Sequence, residues 1–391
     1  MRKYHFLFLV LLFRVMSGTA SPVDIGLYTD CKPQDLMISI SAGKYLLKGD
    51  GKIISDTLSA SILEFRKQGD SIWVKTLERS LGRYRNLSLT AIAPGSSFKL
   101  RMIAPAMPLR FFEDDLFLKS GTDQIRLINH LDIEKYVAGV VEAESGTIAE
   151  EEFYKVQSIL CRTYALANLG KHAGEGFNLC DKVHCQVFRG KTRDPHVYFA
   201  SRSTKDLVAV DNDLRLISTT FSSNCGGQTA NAEDVWGKPA ACLKSVPDSF
   251  CIHMPHAHWE RRISIEDWKS YLELKHRYPV NDSIALSYAL NVPKTGRSVY
   301  FTDRDQRIPL TTIRNDFQLK STFFSVAQKN DSIIITGRGY GHGVGLCQEG
   351  AMQMAKRGYS YSYILNYYYH NINIIDIDKM EFFKEGDEAG N

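Results

Sequence analysis

The most informative stretch of this 391-residue chain is Gly337-Arg338-Gly339-Tyr340-Gly341-His342-Gly343-Val344-Gly345-Leu346-Cys347-Gln348-Glu349-Gly350-Ala351. Its first five glycines stand at alternating positions, so the backbone can approach a ligand or another strand closely. A phenol, an imidazole and an amide remain on this thin loop, at Tyr340, His342 and Gln348. The pattern indicates either a tight structural turn or one wall of a polar ligand groove.

The rest of the chain divides by pattern into two regions. Short alternating segments separated by glycine and Pro-Gly turns fill residues 21–128, among them a predicted strand at Ser71–Thr76, and they predict a β-rich domain. From 129 to 391, helical and strand-like segments are mixed, with a more variable segment near 253–330 and with no repeats or low-complexity linker. The sequence therefore predicts an α+β fold, with a β-rich N-terminal domain before a mixed α+β region.

Hydrophobic spacing places the helices around the glycine-rich stretch. The first predicted helix runs over about 148–169, where Thr147 and Glu150 form a capping box. Two further helices are predicted near Ile265–Leu274 and near Gln348–Arg357. The glycine-rich stretch is thus expected to lead directly into a helix.

The first 20 residues have the pattern of a secretory leader. A positive start is followed by an apolar run from Phe6 to Met16 and by small residues up to Ala20. The run is too short to span a bilayer, and no later segment is long and apolar enough. We expect a protein secreted across the inner membrane to the periplasm or cell envelope, without a transmembrane helix in its mature form.

Charge excludes one class of function. Without residues 1–20, the chain has 45 Lys and Arg against 44 Asp and Glu, and these charges form no basic block. A near-neutral chain of this kind lacks the basic face that nucleic-acid binders use. We therefore expect no nucleic-acid partner.

Two acidic residues stand where a predicted strand, beginning near Tyr136, meets the first helix. If the strand continues, Glu142 and Glu144 point to the same side. Two carboxyls on one side can share a proton, which raises one pKa, whereas a nearby helix N-terminus favours the ionised form. The two effects on pKa oppose each other, and the sequence leaves the balance open.

Four of the residues that bind zinc in proteins cluster within one loop-like segment. They are His172, Cys180, His184 and Cys185. Two thiolates and two imidazoles match a tetrahedral zinc site, although the spacing is not that of a standard zinc finger. A Cys180–Cys185 disulfide is the alternative. Among the other cysteines, Cys242 and Cys251 are the easiest disulfide candidates.

A third polar segment, residues 222–237, combines small hydroxyls, amides, two glycines and Trp236. Such a set resembles the lining of a carbohydrate site, since amides bind hydroxyls and aromatic rings stack on sugar faces. The alternative is a turn-rich loop around a buried tryptophan. On the first predicted helix, Arg162 lies off the apolar face, where it either reaches toward the glycine loop or is solvated.

Taken together, these motifs resemble the family of stage II sporulation protein D and the amidase enhancers (SpoIID/LytB). The resemblance covers roughly residues 125–375 and rests on five ordered motifs. The matching segments are Tyr136–Glu144, Val156–Tyr164, His184–Gly190, Asn224–Gln228 with Glu233–Trp236, and Gly339–Ala351. The family often has Ser where this chain has Cys347.

The resemblance implies a peptidoglycan lytic transglycosylase that acts on glycan strands stripped of stem peptides, with a groove between the lobes of the α+β region. It implies that Glu144 is the catalytic acid and that Cys180, His184 and Cys185, with His172 as the fourth ligand, bind a structural Zn²⁺. By the same resemblance, the residues expected to bind substrate are Arg162, Ser223, Gln228, Tyr340, His342 and Gln348.

Two other functions compete with this interpretation. The enhancer branch of the family implies a non-catalytic cell-wall-binding activator of an N-acetylmuramoyl-L-alanine amidase, which would then be a protein partner. A hydrolytic muramidase would cleave the same bond but leave reducing ends instead of anhydro ends. The nature of the product separates all three.

Overall fold

The computed structural model describes residues 22–293, 296–302 and 307–379. Within these ranges the chain combines β-sheets with α-helices, which confirms the predicted α+β class. The predicted leader, residues 1–20, lies outside the described ranges. Among the described helices, none has the length and apolar character needed to cross a bilayer.

Residues 22–132 form twelve strands. They are β1 Pro22–Leu27, β2 Asp35–Ala42, β3 Tyr45–Gly49, β4 Lys52–Leu58, β5 Ile62–Gln68, β6 Ser71–Thr76, β7 Ser80–Tyr84, β8 Asn86–Ala91, β9 Ser97–Ala104, β10 Arg110–Glu113, β11 Asp115–Ser120 and β12 Ile125–Asp132. Burial alternates along most of them, because such a strand turns one face to a core. In β6, whose bounds match the predicted strand, Ile72 and Val74 are buried and their neighbours partly exposed.

The remaining elements mix helices with short strands. The helices are α1 Ile133–Ser145, α2 Glu151–Ala167, α3 Pro195–Ser203, α4 Ala232–Trp236, α5 Ile265–His276, α6 Ser283–Leu290, α7 Leu310–Asp316, α8 Gln348–Lys356 and α9 Tyr361–Tyr368. The strands are β13 Leu179–Cys180, β14 Leu207–Val210, β15 Phe221–Ser222, β16 His258–Ser264, β17 Asn291–Val292, β18 Phe324–Lys329, β19 Ser332–Arg338, β20 Leu346–Cys347 and β21 Asn373–Asp376.

Two large sheets contain the N-terminal strands. One has the order β13-β1-β12-β11-β8-β3-β4 and the other the order β10-β9-β2-β5-β6-β7. The late strand β13 pairs in parallel with β1, so that Cys180 is opposite Gly26. One hydrophobic cluster includes side chains of both sheets and of α1, α2, α8 and α9. The helical region is therefore packed directly against the β-rich region.

The segment predicted as a strand that ends at Glu144 is a helix, so that prediction is wrong. Asp132 caps α1 by accepting a hydrogen bond from the Glu134 amide at 2.6 Å. Val137, Val140 and Val141 are buried on one side, with the helical spacing that their β-branched side chains obscured in the sequence. The predicted capping box is also wrong, because α2 begins only at Glu151 and its N-cap is Glu150.

A glycine lets α1 closely approach residues 171–190, the segment that contains the four predicted zinc ligands and is called the Cys/His loop below. A Cβ at Gly139 would collide with the carbonyl oxygen of Gly190 and lie 2.7 Å from the Phe188 ring. Glycine inside a helix costs roughly 0.5–1 kcal/mol relative to alanine. Glycine is nevertheless required at position 139, because no larger residue permits this contact with Phe188 and Gly190. The contact holds residues 186–190 against α1.

The segment between His258 and Arg338 has a hydrophobic cluster of its own. Its sheet has the order β16-β19-β18-β17, and Trp268 of α5 lies fully buried among the other side chains of this cluster. At the C-terminal end of β19, Gly337 pairs with Phe324 of β18 and Arg338 pairs with His258 of β16. The chain passes from this sheet directly into the glycine-rich loop.

The alternating glycines of that loop pack against another backbone segment. Gly339, Gly341, Gly343 and Gly345 all have positive φ, between 73° and 113°. A Cβ at Gly339 would lie 2.6 Å from the carbonyl oxygen of Asn224, and one at Gly345 would collide with Thr220. Gly339, Gly341 and Gly345 thus serve a close approach between residues 339–345 and 220–226, whereas a Cβ at Gly343 would collide with the Arg297 guanidinium. Of the side chains between these glycines, Tyr340 is exposed and His342 is half-buried, whereas Val344 is buried.

Candidate active site

Glu144 lies in the last turn of α1 and is half-buried. Its Oε1 accepts a hydrogen bond from the backbone amide of Val187 at 2.8 Å. Burial raises the pKa of this carboxyl, and the hydrogen bond from Val187 and the charge of Arg189 only partly oppose that rise. A carboxyl with a raised pKa keeps its proton to higher pH than an ordinary glutamate does, as a general acid requires.

Glu142 lies on another side of the same helix. Two residues along an α-helix are about 200° apart around its axis, so the expected shared side does not exist. The Oε2 of Glu142 accepts hydrogen bonds from the amides of Arg193 at 2.7 Å and Asp194 at 3.1 Å, just before α3. The interpretation of the two acids as a proton-sharing pair is therefore wrong.

A cleft of about 670 Å³ opens on the Glu142 side of α1. Its lining includes Glu142, Arg189, Lys191 and Arg193, and Glu144 is not part of it. The carboxylate of Glu142 is held by two backbone amides at one wall of this cleft. Glu142 therefore acts as a structural acceptor at this cleft, and Arg189, whose charge acts on the Glu144 carboxyl, lines the same cleft.

Gln348 connects the glycine-rich loop to Glu144. It is the first residue of α8, and its side-chain Nε2 donates to the backbone carbonyl of Glu144 at 3.4 Å. The two residues are 204 positions apart in the chain. Glu144, the predicted catalytic acid, and the glycine-rich stretch are therefore in contact, although they are far apart in the sequence.

The other predicted groove residues come from the two paired segments. The backbones of Asn224 and Tyr340 exchange two hydrogen bonds, of 2.8 Å and 3.2 Å. Ser223 precedes this pair and is half-buried, whereas Tyr340 is 42% exposed. Gln228 is farther along the first segment, and its Nε2 donates to the Ser245 hydroxyl at 3.1 Å. Ser223, Gln228 and Tyr340 are all at least partly exposed, and together they are called the candidate groove surface.

His342 lies beside an exposed tryptophan. The centre of its ring is 5.2 Å from that of Trp236, which is 47% exposed. The alternative of a turn-rich loop around a buried tryptophan is therefore wrong. Burial lowers the pKa of His342 to about 4, and its Nδ1 accepts a hydrogen bond from the Val344 amide at 3.0 Å. His342 is consequently a neutral imidazole at ordinary pH, suited to hydrogen bonding rather than to charge.

Arg162 is placed away from this surface. It is 1% exposed, and its guanidinium pairs with the buried carboxylate of Glu134 at 2.5 and 2.7 Å. It also donates to the carbonyl oxygen of Leu207. Neither expectation for Arg162 holds, since it is not solvated and does not reach the glycine loop. Its bidentate pair joins α1 to α2 inside the core.

A polar cluster under Tyr340 was not anticipated from the sequence. Both carboxylate oxygens of Glu349 are engaged, one by Asn224 Nδ2 at 2.6 Å and the other by His256 Nδ1 at 2.7 Å. The His256 ring also lies 5.2 Å from that of Tyr340. Glu349 belongs to the glycine-rich stretch, but His256 lies in the variable segment, and no sequence pattern links the two.

The Cys/His loop brings its four predicted zinc ligands together. The donor atoms of His172, Cys180, His184 and Cys185 all lie within 4.8 Å of one another. Cys185 Sγ is 3.4 Å from His172 Nε2 and 3.8 Å from His184 Nδ1, and Cys180 Sγ is 3.8 Å from the same His184 atom. The cysteines are free thiols rather than a disulfide.

These distances fit a tetrahedral ion. Zinc bonds of about 2.3 Å to sulfur and about 2.0 Å to nitrogen set neighbouring ligand atoms about 3.5–3.8 Å apart. The Nδ1 of His172 is hydrogen-bonded to Oε1 of Glu175 at 2.5 Å, and its Nε2 therefore faces Cys185 Sγ. A carboxylate that orients a ligating histidine in this way is typical of zinc sites. The residues present therefore fit a closed, structural Zn²⁺ site.

The Cys/His loop also positions the carboxyl of Glu144. Cys180 is fixed on the edge of the large sheet by the pairing of β13 with β1, and Val187 follows Cys185 by two residues. The amide of Val187 is the donor to Glu144. The order of the Cys/His loop and the position of the Glu144 carboxyl are thus coupled through a few residues of backbone.

Comparison with known sequences agrees with this arrangement. The sequence model of a family described as Stage II sporulation protein matches residues 121–211, which include α1, α2 and the Cys/His loop. An uncharacterized protein of Brachyspira hyodysenteriae (strain ATCC 49526 / WA1) is 32% identical over 285 residues, covering 69% of this chain and 73% of its own. The chain belongs to the SpoIID/LytB family.

Two relatives carry descriptive names. The protein named Stage II sporulation protein D of Bacillus subtilis (strain 168) is 27% identical over 266 residues, covering 64% of this chain and 76% of its own. The Amidase enhancer of the same organism is 25% identical over 284 residues, which cover 59% of this chain but only 39% of the longer enhancer. Both branches of the family are thus represented among the relatives.

Proposed function

We propose that this protein is a secreted peptidoglycan lytic transglycosylase. It cleaves the bond between N-acetylmuramic acid and N-acetylglucosamine in glycan strands without stem peptides, and it leaves 1,6-anhydro-N-acetylmuramic acid ends. Glu144 is the general acid and then the general base. The observation that carries the proposal is the half-buried carboxyl of raised pKa on Glu144, a residue whose backbone carbonyl accepts a hydrogen bond from Gln348 of the glycine-rich stretch.

The chemistry needs one carboxyl. Protonated Glu144 donates its proton to the glycosidic oxygen as the bond from that oxygen to C1 of the muramic acid breaks. The C6 hydroxyl of the same sugar attacks C1, and its proton passes to the Glu144 carboxylate. Because the nucleophile belongs to the substrate, no second carboxylate is needed to activate a water molecule. This agrees with Glu142 being held by two backbone amides on another side of α1.

The groove is formed by the surface between the two paired segments and α1. Ser223, Gln228, Tyr340, neutral His342 and Gln348 supply the hydroxyls, amides and imidazole that hydrogen-bond sugar hydroxyls and N-acetyl groups. Trp236 offers an exposed ring for the apolar face of a sugar. Arg162 is left out of this set because its guanidinium is buried against Glu134.

The Zn²⁺ that fits the Cys/His loop has a structural role in this proposal. Two imidazoles and two thiolates would fill its four positions and leave none open for substrate. Bound there, the ion would order the loop whose Val187 amide holds Glu144.

The cellular place and the partners follow from the substrate. Glycan strands lie outside the cytoplasm, which agrees with the leader-like pattern of residues 1–20. The relative named Amidase enhancer supports an alternative, a wall-binding activator of a peptidoglycan amidase without catalysis of its own. Such an amidase is also a candidate partner of the active enzyme.

Product analysis tests the proposal. Purified protein is incubated with denuded glycan strands, and the fragments are analysed by mass spectrometry. We expect anhydro ends, 18 Da lighter than the reducing ends that a muramidase leaves. Reducing ends would show hydrolysis instead. Intact strands, together with faster cleavage when an amidase and cross-linked wall are supplied, would establish the activator.

The pKa of Glu144 predicts how the rate changes with pH. Burial raises this pKa above the ordinary value of about 4.3, and only the protonated form donates. The rate is therefore expected to fall as pH rises through the raised pKa, with substantial activity still present above pH 4.3. The measurement is kcat/KM on soluble glycan fragments across the acidic and neutral range. A descending limb at or below the ordinary glutamate pKa would contradict the assignment.

A further inference from the structure

A second group of metal-binding side chains lies beneath the groove. Cys225, Asp248, Cys251 and Cys347 are each 0% exposed, and their ligand atoms lie within 4.8 Å of one another. Cys225 Sγ is 3.2 Å from Asp248 Oδ2 and 3.5 Å from Cys251 Sγ. These three cysteines and Cys242 are all free, so the predicted Cys242–Cys251 disulfide is wrong.

The geometry of this group is that of a coordination shell. Four donor atoms from three separate segments converge, and the two measured separations are close to the roughly 3.5–3.8 Å expected around a tetrahedral zinc ion. Three thiol sulfurs with one carboxylate are also the donor types that zinc binds. A buried carboxylate against three thiols is a costly arrangement without a cation, since burying an unpaired charge is unfavourable.

The surroundings are arranged to hold thiolates and to orient the carboxylate. The amides of Cys225 and Gly350 donate to Cys347 Sγ at 3.2 and 3.4 Å. The Tyr368 hydroxyl donates to Asp248 Oδ2 at 2.9 Å, and the Phe250 amide donates to Asp248 Oδ1 at the same distance. Such outer hydrogen bonds fix ligands in metal sites.

The negative charge of this group is partly balanced by its surroundings. Three thiolates and one carboxylate carry four negative charges, of which Zn²⁺ cancels two. Arg297 is placed to offset another, because its Nη2 donates to the Cys225 carbonyl at 2.7 Å and its Nε to the Gln228 carbonyl at 2.6 Å. Amide donors to sulfur spread the remaining charge.

We propose that Cys225, Asp248, Cys251 and Cys347 bind a second, structural Zn²⁺, distinct from the ion of the Cys/His loop. Binding displaces the protons of the three thiols and leaves no open position. The ion joins the segments that begin at Cys225, Asp248 and Cys347. Asn224 and Gln348 are the chain neighbours of two ligands, so this zinc fixes the floor of the groove from below.

The test is zinc content, measured by mass spectrometry of metals on protein purified without added chelator. Wild type is expected to hold two zinc ions per chain, and Cys347→Ser to hold one. Serine suits this position, because Cys347 is the N-cap of α8 and a serine hydroxyl can still accept the Gly350 amide. Asp248→Asn is a second variant of nearly equal size and is also expected to lose one ion.

Matched variants separate the two sites. Cys185→Ser is expected to lose one ion. The double variant, which carries both Cys185→Ser and Cys347→Ser, is expected to lose both ions. A single ion in wild type that Cys347→Ser retains and Cys185→Ser loses would overturn the proposal. A Cys225–Cys251 disulfide, seen as a 2 Da mass deficit and two alkylation-resistant cysteines in denatured, unreduced protein, would overturn it as well. Metal content does not depend on glycan cleavage, so this test stands apart from the product assay.

Discussion

Glu144→Gln is expected to abolish the release of anhydro products while leaving the protein folded. Positioned acid–base catalysis contributes typically 10²–10⁴-fold, and one carboxyl performs both proton transfers here, so we expect a loss of at least about 10³-fold. The amide oxygen of glutamine can still accept the Val187 hydrogen bond. Because burial raises the pKa of Glu144, ionisation of this group weakens the fold above that pKa. The free energy of unfolding at neutral pH is therefore expected to stay level or rise.

Glu142→Gln is the matched control. It makes the same chemical change two residues away, on another side of α1, where the side chain accepts hydrogen bonds from the amides of Arg193 and Asp194. We expect its rate of glycan cleavage to remain within about tenfold of wild type. The reason is that the two hydrogen bonds from backbone amides to this side chain are altered, and one such bond contributes about 1 kcal/mol. Product yield from denuded strands and urea unfolding are measured for both variants. Full activity of Glu144→Gln, or equal losses in the two, would remove Glu144 from the catalytic role.

Cys185→Ser is the second change with a large expected effect. Structural zinc contributes about 10–16 kcal/mol of binding free energy in small zinc-finger peptides, and part of that energy orders the surrounding chain. Loss of the Cys185 thiolate is expected to lower the zinc content by one ion per chain. It is also expected to lower the melting temperature markedly. Glycan cleavage is expected to fall with it, because the Val187 amide that holds Glu144 is two residues away.

Cys31→Ser is the control for this variant. Cys31 is a half-buried free thiol whose Sγ contacts the Tyr28 carbonyl, and it belongs to neither cysteine cluster. It is expected to keep the full zinc content and activity. Cys185→Ser protein with unchanged zinc content and melting temperature would show that His172, Cys180, His184 and Cys185 hold no ion.

Local pattern was enough for the elements whose burial repeats cleanly. β6 and α5 begin where alternation and helical spacing predicted, and α8 begins at Gln348 as expected. The pattern failed at α1, because its valines suit a strand as well as a helix and only the cap at Asp132 and the packing against the β-rich region decided the matter. The boundary between the two predicted regions, at 128/129, stays a prediction.

The same contrast applies to the site. His172, Cys180, His184 and Cys185 lie within 14 residues, so chain connectivity alone keeps them near one another. The burial of Arg162 against Glu134 depends on how α1 crosses α2, which no local pattern contains. The roles of the predicted groove residues stay predictions until glycan binding is measured.

The sequence by itself determined the α+β class, the family motifs and the local Cys/His set, because each depends on spacing within a few turns of chain. Only the tertiary structure brought Gln348 to Glu144 across 204 residues and gathered Cys225, Asp248, Cys251 and Cys347 from three segments. The physical reason is that helical and strand periodicity fix which face of an element is buried, whereas packing between distant elements decides what that face meets.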